Sequence, residues 1–156
     1  MGAIGLNGAT SEAKDLTERT RLSSLGWKKW APVQTGALAA HLAALGPILW
    51  ENKGRYTAQD GVMAATWIKT AVTAAGATAT LYAAILGKKV DELAAEGAQG
   101  ATEPGVETSR DLANAQKQLK LLQWVIPGAA ATVIVLGAWH GEMQRPKNVK
   151  LGLLKD

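Results

Sequence analysis

Residues 30–50 read WAPVQTGALAAHLAALGPILW, twenty-one positions bracketed by tryptophans without one formally charged side chain. A second stretch, Leu121–Gly141 (LLQWVIPGAAATVIVLGAWHG), repeats the pattern, and between Asp60 and Lys88 a third carries a single charge, Lys69. A helix needs about 20 mostly apolar residues to satisfy its backbone across roughly 30 Å of hydrocarbon, and each stretch meets that length. The expectation is an all-α integral membrane helical bundle with three transmembrane helices, at about 31–50, 62–87 and 124–141. A soluble bundle of Ala-rich helices is the competing reading, because mean hydropathy is zero. Soluble helices need a polar face, however, and Val62–Leu86 offers Ala, Thr, Leu, Val and Ile around nearly its whole circumference.

Outward from these spans, residues 1–30 form an N-terminal segment and 31–156 the membrane domain. Residues 1–10 are Gly-rich and read as irregular. A short helix is expected from about Glu12 to Leu25, capped by Thr10 or Ser11 and stopped by Gly26. Trp27, Lys28, Lys29 and Trp30 then form an interfacial anchor, indoles at the headgroup level and ammonium groups among lipid phosphates. Trp50 and Trp139 mark the opposite interface. Pro47 is expected to bend or end the first helix and Pro127 to kink the third. Glu51–Gly61 reads as a short polar loop.

In the second span Ala71, Ala75, Ala79 and Ala83 recur every four residues, a small-residue ridge that lets a neighbouring helix approach closely; Gly128 and Gly137 offer the same in the third. Residues 88–120 read as an extramembrane helical hairpin turning at GAQGATEPG (97–105), with arms of about 10 residues projecting on the order of 15 Å. Val90, Leu93 and Ala94 on one arm face Leu112, Ala115 and Leu119 on the other. Burial that sparse leaves an isolated hairpin marginal, so an inner-side partner at 88–120 is expected.

Several chemistries are excluded or unsupported. With no cysteine there are no disulfides, thiolate nucleophiles or Cys-ligated clusters. The mixed charges of residues 1–30 fit neither a secretory signal nor a transit peptide. No nucleophile elbow, phosphate loop or His–Glu metal cluster is present, so no catalytic residue, no metal site and no cofactor is assigned. His41, near the middle of the first span, is a weak candidate for contact with haem. His140 lies near the opposite edge of the membrane, so the two histidines cannot form one bis-His haem site within the chain. Lys69 is the intramembrane charge, and a cation in hydrocarbon either snorkels to the surface or finds a partner.

Lys14, Arg19, Arg21, Lys28, Lys29, Lys88, Lys89, Arg110, Lys117 and Lys120 share one side of the membrane. Lys53, Arg55, Arg145, Lys147, Lys150 and Lys155 share the other. Ten against six places the N-terminus inside and the C-terminus outside, in a cell membrane of bacterial inner-membrane type. The basic excess reads as membrane flanks, not as a nucleic-acid surface. The function expected is that of a non-catalytic accessory or structural subunit whose partners are other membrane subunits and lipids. The alternatives are a small oligomeric transporter or channel, with Lys69 near its pathway, and a redox-complex subunit contacting haem or quinone.

Overall fold

The computed structural model describes residues 2–153, with side chains through Lys150. The last residues of the basic tail, including Lys155, lie outside the described residues. Among those described the chain is all-α, a helical bundle without a strand. After a π-type turn at Gly2–Leu6 come α1 (Asn7–Ser11), α2 (Leu16–Glu51), α3 (Lys53–Ala58), α4 (Val62–Glu92), a 3-10 turn at Ala94–Glu96, α5 (Arg110–Met143) and α6 (Pro146–Leu153). The helices α2, α4 and α5 are long and apolar enough to cross a membrane.

The helix boundaries differ from the sequence reading in instructive places. Residues 2–11 are helical, not irregular. The cap of the next helix is Asp15, whose Oδ1 accepts the backbone N–H of Glu18 at 2.8 Å, so Thr10 and Ser11 serve a different purpose: their hydroxyls bond back to the carbonyl of Asn7. Gly26 does not stop a helix. α2 runs unbroken through Gly26, Pro32 and Pro47, and Gly26 has no positive φ. Its missing side chain serves packing, because a Cβ there would collide with Leu6 of the N-terminal turn. α5 likewise continues through Pro127.

The chain divides into two compact units, Met1–Thr35 with Thr78–Pro127, and Gly36–Ala77 with Gly128–Asp156. In the first, Leu86 and Val90 of α4 pack on Leu112 and Ala115 of α5, with Leu93, Leu119 and Leu122 at the edge. The two apolar stripes of 88–120 therefore meet as the sequence reading expects. The arms do not project alone, however. The turn after Glu96 folds onto the start of α2: the Ala98 N–H donates to the Leu16 carbonyl at 3.2 Å, and Arg19 Nη1 donates to the Gln99 carbonyl at 2.9 Å. Gln116 Nε2, wholly buried, donates to the Gly100 carbonyl at 3.0 Å. Ala98, Ala101 and Thr102 are buried as a result. Part of the connector, around residues 97–102, is thus covered by the start of the chain's own α2.

In the second unit, Gly76 of α4 lies against Ala129 of α5, where an added Cβ would come within 3.2 Å of the alanine methyl. Val62, Ala65 and Leu136 are its most buried apolar residues. The orphan carbonyl of Met143, at the end of α5, accepts Gln59 Nε2 at 2.9 Å and Arg55 Nη2 at 3.4 Å. Side chains of the α3 region thus close the C-terminus of α5.

Candidate functional site

Within the second unit three nitrogen-bearing side chains are gathered around one face of α5. Lys69 of α4 extends its ammonium toward Gly137, passing 3.6 Å from where a Cβ on that glycine would stand. His140 follows Gly137 by three residues and so occupies the same helix face. Its Nε2 is shut off from solvent, with no hydrogen-bond partner among the described residues. Arg55 of α3 approaches the end of the same helix, its Nη2 donating to the Met143 carbonyl at 3.4 Å, one turn beyond His140.

Arg55 is held rigidly. Its Nε and Nη2 both donate to Gln59 Oε1, at 3.0 and 2.8 Å, and its Nη1 donates to Asn52 Oδ1 at 2.9 Å. All these acceptors are neutral, so the guanidinium keeps its full charge. Tyr56 supplies no compensation: partial burial raises its phenol pKa above 10.0, against a smaller opposing pull from Arg55, so the ring stays uncharged. Among the described residues the ion pairs formed elsewhere, such as Arg145 with Glu142 at 3.0 Å, do not involve Lys69 or Arg55. The chemistry available is donation of hydrogen bonds to an anion, not ligation of a cation.

The other singled-out residues are placed as follows. His41 sits half-buried on α2. Ala79 and Ala83 are half-buried, whereas Ala71 and Ala75 are exposed on the single chain, and a Cβ added to Gly128 would meet nothing within 4 Å. Trp30, Trp50 and Trp139 are about half or more exposed, as interfacial indoles are, and Lys28 and Lys29 are exposed beside Trp30. Lys28 pairs with Asp91 at 3.5 Å. Trp27 is turned to the protein: its indole N–H donates to Asn7 Oδ1 at 2.9 Å, while Asn7 Nδ2 donates to Gln123 Oε1 at 3.2 Å. Its six-membered ring occupies the place a side chain on Gly2 would need. The threonines of α4 behave in two ways. Thr66 and Thr70 bond the preceding turn at 2.8 and 2.9 Å, whereas the buried Thr73 hydroxyl has no partner among the described residues.

Sequence reasoning missed Arg55 as a site residue, because an arginine in a polar loop carries no mark of what it faces. It also missed Trp67, 67% exposed and two residues from Lys69. A tryptophan that close to a lone lysine is a signal of interfacial depth available from sequence. Compared with known families, curated proteins and solved structures, the chain matches none significantly.

Proposed function

We propose that this chain is a non-catalytic structural subunit of a larger membrane protein assembly, held in it by small-residue faces of its spanning helices. One observation carries the reading: the apolar windows of α2, α4 and α5 are 0%, 11% and 6% buried within the chain, yet the surfaces left open include Ala71 and Ala75 and glycines 36, 46 and 128. Lipid tails solvate Leu or Phe at least as well as Ala or Gly. Small side chains bring an advantage only where another helix comes close enough to make van der Waals contact with the backbone.

Ala75→Leu is expected to abolish copurification of partner chains in mild detergent while leaving insertion intact, because a close helix contact has no room for three extra carbons. Unchanged association would assign this face to lipid. Recovery of a single species, several copies of this chain alone, would favour the small oligomeric transporter instead.

The same reading places the N-terminus inside a bacterial inner membrane, on the excess of Lys and Arg flanking that side. Cysteines introduced at positions 5 and 100 are expected to be shielded from an impermeant thiol reagent in intact cells, and those at 56 and 148 labelled. Equal labelling at 5 and 148 would reject three crossings with this orientation.

A further inference from the structure

A cation withdrawn from water needs an anion nearby, because the cost of leaving it uncompensated rises steeply as the surroundings become less polar. Lys69 and Arg55 are two partly buried cations in one compact unit, one beside Gly137 and the other at Met143 on either side of His140, and their bonds to described residues supply no carboxylate. The unused hydrogen-bonding capacity is of one kind. A lysine ammonium has three donors and a guanidinium five. None of Lys69's is taken by a described residue, and one on Arg55 Nη1 remains after its bonds to Asn52, Gln59 and Met143. His140 Nε2, buried and unpartnered, is one more in its protonated tautomer.

Depth adds the second half of the argument. Trp50, Trp67 and Trp139 are 68%, 67% and 52% exposed, and such indoles settle at the headgroup level. Lys69 is two residues from Trp67, His140 is next to Trp139, and Arg55 lies in the short helix that follows Trp50. The cluster therefore stands where lipid phosphates are, with the Lys69 ammonium within ordinary contact distance of where a Gly137 Cβ would be. We propose that Lys69, Arg55 and His140 form a binding site for a phosphate-type oxyanion, either the phosphodiester of an anionic lipid or free phosphate. Donors carried on three helices of one unit suit the several acceptor oxygens of such a group, and the two positive charges repel metal cations. This site is independent of whether the chain has partner subunits.

The test uses the full chain in three preparations: nanodiscs of phosphatidylcholine, nanodiscs of phosphatidylcholine with phosphatidylglycerol, and the first kind with added inorganic phosphate. Lipid retained through detergent extraction is counted by native mass spectrometry, and thermal stability is recorded in parallel. The wild type is expected to retain phosphatidylglycerol over phosphatidylcholine by on the order of tenfold. Lys69→Met should bring that ratio close to one without lowering stability in pure phosphatidylcholine, since it removes a charge and no hydrogen bond made within the described chain. Lys69→Arg should keep the preference, and Gly137→Leu should weaken it by crowding the ammonium.

Stabilisation by inorganic phosphate in the third preparation, lost in Lys69→Met, would name free phosphate as the ligand. Stabilisation by phosphatidylglycerol alone would name the lipid. If wild type and Lys69→Met behave alike in all three preparations, the proposal is overturned, and Lys69 either snorkels to water or meets a partner's carboxylate.

Discussion

Replacing Leu112 with alanine is expected to cost about 2–5 kcal/mol, the range for emptying a filled leucine site in a packed core. Leu112 is 0% exposed and the largest apolar side chain so completely buried, and it stands where α4 and α5 meet, against Leu86, Val90 and Ala115. Two features push the effect toward the upper part of that range. Neighbouring Gln116 is tied to the Gly100 carbonyl and cannot move into the void without breaking that bond. The backbone around it is fixed by the bonds from Ala98 to Leu16 and from Arg19 to Gln99.

The loss should be local. The first unit's water-facing end would open while α2, α4 and α5 stay inserted, because spanning helices keep their backbone hydrogen bonds whatever happens beyond the membrane. Limited proteolysis of the 97–109 segment is the measurement, with membrane retention scored on the same samples. Val106→Ser is the matched control, since Val106 is 99% exposed in that segment and changing it removes no packing. Equal cleavage rates for Leu112→Ala and Val106→Ser would show that this cluster does not hold the connector down.

The spans were legible because they depend on composition alone. A run without charge is visible in a sequence whatever it packs against, and so is a lone exception such as Lys69. The stripe Leu112, Ala115, Leu119 was legible for a related reason, its helical period being a property of one segment. What escaped the sequence was every feature set by a second segment distant along the chain. Gly26 looks the same whether it ends a helix or admits Leu6, and only the return of the N-terminal turn decides between them.

Asp15 and Ser11 are equally good caps in isolation; the chain selects Asp15 because residues 2–11 are already wound into turns of their own. Trp27 reads as an interfacial anchor until Asn7 is brought to its indole N–H from twenty residues away. Arg55 and His140 are eighty-five positions apart, so no spacing rule could have joined them to Lys69 as one site.

Gly97 carries the second large expectation. Its backbone has φ 72° and ψ 158°, a combination essentially confined to glycine that costs another residue on the order of 1–3 kcal/mol. Sterics add to this strain: a Cβ would lie 3.1 Å from the Leu16 Cβ and 3.2 Å from the Leu16 carbonyl carbon and the Thr17 nitrogen. Those are atoms of the first turn of α2, which Asp15 caps and whose Leu16 carbonyl accepts the Ala98 N–H. They cannot withdraw without loosening the bonds that seat the connector.

Gly97→Ala is therefore expected to destabilise the first unit by about 2 kcal/mol, and Gly97→Val by more. Gly97→Asn should rescue nothing, because asparagine tolerates the left-handed helical region near ψ 47° but not this extended one. Gly87→Ala is the control: nothing lies within 4 Å of its Cβ position, and removing a glycine from the interior of α4 should be neutral or stabilise by up to about 1 kcal/mol. Hydrogen exchange at the Ala98 amide, together with thermal unfolding in detergent, reads both terms. A Gly97→Asn protein with wild-type protection at Ala98 would mean that neither backbone strain nor the contact of a Cβ with Leu16 requires glycine there.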